Sequence, residues 1–297
     1  MSREVGSVPL MRFNVAPRVN YRNFGFLPTG SIIRDLYGKL FGHRNLLKRL
    51  QAPAIIGALS PRPDDVILDF GCGAGYITVE IAKGARKAVG VDRTSAIRKL
   101  KVPGTLKGRL EFRESSGDRL PFVDSTFDKV LLSEVLCCFA DPRSLLREVE
   151  RVLKPGGSVV ICIGTGRPAI ETAFANDSAI LKILKVLYRE RMPASYADYC
   201  LKFNQIVQNA WPRFLTDEEI CRLLEESGFR TVAVQHTPGA VVGAYLSWLQ
   251  FVLYLRTGRL ISQGFFALQY FPLRFLDRLS TKPDLGGLLC IAKCIKM

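Results

Sequence analysis

The strongest constraint on this chain is the stretch Val66-Ile67-Leu68-Asp69-Phe70-Gly71-Cys72-Gly73-Ala74-Gly75, where an apolar run ends near an acid and passes into alternate glycines. A short run of apolar residues bounded by turn-forming ones suits a strand buried on both faces of a parallel sheet. Glycine at 71, 73 and 75 permits positive φ and leaves the backbone bare. The chain can then turn sharply into a helix over Tyr76 to Lys83, and a ligand's sugar or amino-acid part can lie against the turn. This predicts a nucleotide-binding corner, with Asp69 at the strand's carboxyl end placed to accept from a cationic amine. The spacing is not the dinucleotide fingerprint G-x-G-x-x-G, whose third glycine would fall at Tyr76.

Four further segments follow in order. A second strand over Ala88 to Val91 ends in Asp92, and a third over Leu110 to Glu114 leads into Gly117-Asp118-Arg119-Leu120-Pro121-Phe122. Ser125-Thr126-Phe127-Asp128 opens a buried fourth strand that ends at Ser133, and Arg151-Val152-Leu153-Lys154-Pro155-Gly156-Gly157 precedes a fifth. With D-x-G-x-G-x-G at 69–75, this series resembles the class I S-adenosylmethionine-dependent methyltransferases, and the last segment is similar to the methyltransferase type 11 group, which includes ubiquinone and menaquinone C-methyltransferases. The resemblance covers residues 64–165 and is weak outside them.

The resemblance implies an α/β fold: a Rossmann-like, seven-stranded, mostly parallel sheet with helices on both faces, an antiparallel last strand and helical insertions. It implies S-adenosylmethionine as cofactor, held by Asp69, Gly71, Cys72, Gly73, Gly75, Asp92, Arg93, Gly117, Asp118, Arg119 and Ser133. Asp92, at the edge of the neighbouring strand, can accept from both ribose hydroxyls. Asp118 is the natural acceptor for the exocyclic amine of adenine.

Outside the central segment the chain reads as an N-terminal arm (1–28), basic amphipathic cap helices (29–60), and a methyltransferase domain (61–297) with helical insertions at 166–213 and 237–285. Asp141-Pro142 starts a helix with an N-cap and proline at its first position. Thr216 and Glu219 form the pattern of a capping box, and Gly228 separates that helix from a strand over Phe229 to Gln235. The last strand is expected at Leu288 to Ile295. The net charge of +15 is concentrated at the ends, with nine Lys and Arg against two Asp and Glu in residues 1–60 and seven against two in 237–297. Both ends also carry large apolar residues, which suits an anionic membrane surface better than nucleic acid. No stretch supplies the roughly 20 apolar residues of a membrane span. The start shows no secretory signal pattern, so the expectation is a cytoplasmic protein, peripheral on the inner face of a membrane. The eight cysteines fall largely in apolar patterns and read as buried thiols, and Cys290-x-x-x-Cys294 lacks the second pair that a zinc site would show, so no metal is expected.

Methyl transfer from a sulfonium is an in-line displacement that chiefly needs the acceptor held close and water excluded. With only His43 and His236 in the chain, no histidine base is evident. Glu134, after the fourth strand, is the candidate for a base or a cofactor-contacting group, the alternative being a helix-start carboxylate. The Asp/Asn-Pro-Pro-aromatic segment of nitrogen methyltransferases is missing from Ser133-Glu134-Val135-Leu136. The expected acceptor is therefore carbon or oxygen of a lipophilic small molecule, such as an isoprenoid quinone precursor, a lipid or an envelope intermediate. A basic RNA-modifying methyltransferase and a non-catalytic cofactor-binding regulator remain as alternatives.

Overall fold

The computed structural model describes residues 46–115, 119–139, 141–164, 215–239 and 287–297, with the single positions 32, 36, 242, 246, 249, 272, 273 and 275. Seven strands, β1 (Val66–Phe70), β2 (Lys87–Asp92), β3 (Leu110–Glu114), β4 (Phe127–Ser133), β5 (Leu153–Gly164), β6 (Phe229–Gly239) and β7 (Gly287–Lys296), form one sheet in the order β3-β2-β1-β4-β5-β7-β6. β1 to β5 pair in parallel, while β7 runs antiparallel to both β5 and β6. The central strands are apolar at successive positions because helices cover both faces. Ile67, Leu131 and Val160 face one cluster, which also holds α1 (Leu46–Leu59) and α2 (Tyr76–Gly84). Leu68, Val130 and Ile161 face the other, with α3 (Pro142–Val152) and α4 (Asp217–Glu226).

The expected helix signals operate as read. The Asp141 side chain accepts from Arg143 N and Pro142 begins α3. Thr216 and Glu219 complete a reciprocal capping box on α4. Gly228, at φ 85, supplies the left-handed residue between α4 and β6.

Two boundaries differ. β6 runs on to Gly239, so residues 237–239, assigned from sequence to the second insertion, are strand, with Thr237 opposite Leu289 and Gly239 opposite Gly287. Pro238 is tolerated there because β6 is the sheet's edge strand and needs no second ladder. β5 begins at Leu153, through a register shift opposite Phe127, with Gly156 at φ 69.

The cap segment also differs. Lys48 and Arg49 are polar positions of the expected basic amphipathic cap helices, yet Arg49 is 6% exposed and Lys48 pairs with Glu134. The reason is that α1 is covered all round, with Val242, Leu246 and Leu273 buried in the same apolar cluster as Ile55 and Leu59. Ile32 and Leu36 are exposed, and the remainder of 1–45 lies outside the described residues.

Candidate functional site

The glycine corner forms as the sequence dictates, but its three glycines have different reasons. At Gly71 (φ 75) a Cβ would overlap Val135 Cγ2, and at Gly75 (φ 74) it would lie 2.6 Å from Phe112 Cζ. These two let the turn pack against the loop after β4 and against β3. Gly73 (φ 54) has nothing within 4 Å of a built Cβ. It faces open space at the carboxyl ends of β1 and β2, where a ligand can approach bare backbone. The turn is tied to its neighbour, since Gly71 N and Cys72 N both donate to Val91 O, at 2.7 and 3.0 Å. The Cys72 thiol is buried, close enough to Gly90 that a Cβ there would lie 2.9 Å from its Sγ. At Cys72 only the backbone could meet a ligand at the corner.

Asp92 ends β2 beside this opening. Its Oδ2 accepts from Gly73 N at 2.9 Å and its Oδ1 from Thr94 N at 3.0 Å. The carboxylate holds the corner in shape and is half-buried, leaving lone pairs for a diol. Arg93 and Arg119 are exposed, and Ser133 is half-buried at the end of β4. Gly117 and Asp118 lie outside the described residues.

Asp69 lies at the carboxyl end of β1, buried beneath the corner. It is 2% exposed, and its Oδ2 accepts from Thr78 Oγ1 of α2 at 2.6 Å. The bond ties β1 to α2 beneath the glycine corner. Burial pushes the Asp69 carboxyl up to about 6, opposed by the Thr78 hydrogen bond and the Lys48 charge and assisted by Asp92. The folded protein therefore keeps a proton on Asp69 after the unfolded chain, near 3.8, has lost it. The term costs nothing below pH 3.8, destabilises progressively as pH rises to about 6, and is constant above. Asp69→Asn, which keeps an acceptor for Thr78, should stabilise the free protein at neutral pH by up to about 3 kcal/mol and do nothing near pH 4. Thermal melts of variant and wild type across that range check this. The difference between the two isolates Asp69 from carboxyls such as Glu111 and Glu148, which Arg113 and Arg151 hold low. A parallel pair of curves would show that Asp69 loses its proton in the fold at the same pH as in the unfolded chain.

Glu134 follows β4 without entering a helix. It takes φ 57, a left-handed conformation that costs a non-glycine residue about 1–2 kcal/mol. Its N–H donates to Cys162 O at 2.7 Å, so β5 fixes the bend. Its Oε1 accepts from Lys48 Nζ at 3.2 Å and from Gln51 Nε2 at 3.3 Å. A strained, half-buried carboxylate held by two residues of α1 stands beside the glycine corner, since Val135, the next residue, touches Gly71. Strained backbone of this kind concentrates at functional sites. Lys48 and Gln51 escape the sequence reading. Their signal is two polar residues three apart, sharing one face of a helix whose other residues, Arg49 excepted, are apolar.

The Ser-x-Phe-Asp and Arg-Val-Leu-Lys-Pro-Gly-Gly segments prove architectural. Asp128 is at the start of β4, away from the corner, where it accepts from Val66 N at 2.8 Å and Lys154 Nζ at 2.6 Å. Arg151 forks to Phe122 O (2.8 Å), Leu120 O (3.2 Å), Asp124 (2.7 Å) and Glu148, pinning the loop over 120–124.

An adenosyl ligand with a charged amino-acid tail fits this arrangement. The open approach at Gly73 would receive the tail, and Asp92 would receive the ribose. When bound, S-adenosylmethionine supplies an electrophilic methyl group on a sulfonium.

A family model described as a methyltransferase domain matches residues 68–161. A demethylmenaquinone methyltransferase of Streptomyces griseus is 30% identical over 197 residues, covering 66% of this chain and 82% of the relative. One from Corynebacterium kroppenstedtii is 27% identical over 194 residues, covering 63% and 77%. Among solved structures, the YcgJ protein from Bacillus subtilis superposes with a TM-score of 0.50 over 83% of this chain and 97% of its own, at 16% identity, a likeness of fold. Sheet order, glycine corner and relatives agree: the chain belongs to the class I S-adenosylmethionine-dependent methyltransferases, in the methyltransferase type 11 group, and is an enzyme of that family.

Proposed function

We propose that the enzyme methylates carbon or oxygen of a lipophilic small molecule, with an isoprenoid quinone precursor as the acceptor class, while resting on an anionic membrane surface. The observation that carries the acceptor class is the match to demethylmenaquinone methyltransferases over more than three quarters of their length. The site's chemistry agrees with it. Val135, Leu136 and Cys137 bury apolar groups next to Glu134, and Phe139 stacks at a tilt on Phe70 with centroids 6.0 Å apart. A ring acceptor becomes a better carbon nucleophile when a ring hydroxyl gives up its proton, and Glu134, oriented by Lys48 and Gln51, is the carboxylate placed to take it. The test is transfer of labelled methyl from S-adenosylmethionine to an isoprenoid hydroquinone lacking a ring methyl, beside a total RNA arm. Label in the lipid extract is expected, and label in RNA alone would replace this reading with the RNA-modifying one.

For the membrane surface, the support is that Ile32 (86% exposed), Leu36 (54%) and Phe275 (62%) present large apolar side chains to solvent from the two basic ends of the chain. Among the described residues no helix is long and apolar enough to cross a membrane. Phe265 and Phe266, large aromatics of the second basic end, lie outside the described residues. Sedimentation should recover the protein with anionic but not neutral vesicles, less so as salt rises. Ile32→Ser with Leu36→Ser should weaken recovery about tenfold or more, since each apolar side chain removed from lipid is worth about 1.5–3 kcal/mol. Equal recovery with neutral vesicles, or none with either, would remove the membrane from the reading.

A further inference from the structure

Antiparallel pairing sets His236 of β6 directly opposite Cys290 of β7, and Asp217, the first residue of α4, closes on them from the covering helix. His236 Nε2 lies 2.9 Å from Asp217 Oδ2, and one donor atom from each of the three residues lies within 4.8 Å of the other two. Cys290 is 1% exposed and the His236 side chain 9%, while Asp217, at 36%, opens the cluster to solvent on one side. His236 Nδ1 is buried with no hydrogen-bond partner among the described residues. None of the three residues belongs to the glycine corner or to the group around Glu134, and the spacing of the chain hides the cluster, because its members come from three elements. The Cys290-x-x-x-Cys294 pair that the sequence offers is no chelate, since Cys294 Sγ turns to Thr231 Oγ1 at 3.5 Å.

We propose that Asp217, His236 and Cys290 form a binding site for a divalent transition-metal ion of the zinc class, with water completing the coordination on the Asp217 side. Sulfur, imidazole and carboxylate together suit zinc, whereas magnesium and calcium prefer oxygen alone. The charges close: a dication, one thiolate, one carboxylate and a neutral imidazole sum to zero, the assembly that costs least to bury. Two donors sit on adjacent paired strands and the third on a capped helix start, so the site is held in place before the ion arrives. Without the ion, burial and then Asp217 push the Cys290 thiol well up, and it keeps its proton. Binding forms the metal–sulfur bond and releases that proton to solvent. The ion clamps α4 to the stem of the second insertion, which leaves β6 at Gly239 and re-enters β7 at Gly287.

The full chain, stripped with a chelator under reducing conditions, should be titrated with Co²⁺ and then Zn²⁺. An intense thiolate-to-cobalt charge-transfer band saturating at one equivalent, bleached by Zn²⁺, is expected, with a melting temperature that rises with added Zn²⁺. Cys290→Ser should lose the band, and His236→Gln should weaken Co²⁺ binding at least tenfold. Cys138→Ser, which removes an exposed thiol elsewhere, should leave the band in place. Absence of the band in the parent protein, or its survival in Cys290→Ser, overturns the proposal. Should Cys290→Ser fail to fold, unchanged Co²⁺ affinity in both His236→Gln and Asp217→Asn overturns it equally.

Discussion

Gly73→Val should cost the enzyme at least a hundredfold in affinity for S-adenosylhomocysteine while leaving a folded, cooperatively melting protein. A Cβ at Gly73 meets nothing within 4 Å among the described residues, so a branched side chain there is expected to fill the ligand's approach to the backbone rather than collide with the corner. Its intrinsic cost is the left-handed backbone at φ 54, about 1–2 kcal/mol for a residue with a Cβ. Gly71→Val should behave in the opposite way. Its side chain would collide with Val135, so the fold fails before binding can be measured. Asp92→Ala falls between, losing charge-assisted hydrogen bonds worth about 1.5–3 kcal/mol, some from the ribose and some from its own grip on Gly73 N. Calorimetry with S-adenosylhomocysteine, beside thermal melts, separates the three. Full affinity in a folded Gly73→Val would move the cofactor away from this corner.

Glu134→Gln should lower kcat by about a hundredfold or more if the carboxylate takes the acceptor's proton, with the affinity for S-adenosylhomocysteine changed less than about threefold. The amide keeps the size of the side chain and an oxygen for Lys48 and Gln51, so the left-handed bend and the packing of α1 survive. Lys48→Met removes the cation that faces Glu134 and lowers the Asp69 carboxyl, and should reduce kcat less, through misplacement of Glu134. It should also lower stability by about 1–3 kcal/mol, because Glu134 then keeps a half-buried charge with only Gln51 to answer it. A double-variant cycle read in kcat checks the linkage: the pair should cost little more than Glu134→Gln alone. Activity close to that of the parent in Glu134→Gln would make the carboxylate a structural tie between α1 and the loop after β4.

Legibility followed the range of the interactions. The corner at 71–75, the caps at Asp141 and Thr216, and the strand starts and ends near β1 to β4 arise from neighbours in the chain, and each could be placed from residue type and spacing. What could not be placed depended on the other side of a contact. The sequence shows Asp69 as an acceptor at a strand's end, but not that Thr78, nine residues on, would donate to its Oδ2 in a buried setting. Lys48 and Arg49 read as polar positions of a basic amphipathic cap helix, a pattern that does not say which face will be covered. Three residues from beyond position 240 cover that helix, and no period within the helix announces them.

The sequence by itself determined the sheet of alternating strands and helices, the bare glycine corner and the acid at the end of the second strand, because local sterics and hydrophobic periodicity act within a few residues. Only the tertiary structure decided that Gly71 and Gly75 are packing glycines while Gly73 faces open space. It alone brought Glu134 to Lys48 across 86 positions and gathered Asp217, His236 and Cys290 into one cluster. Those outcomes depend on which strand lies beside which and which face a helix covers, and that choice is made by burying the whole apolar surface at once rather than by any segment on its own.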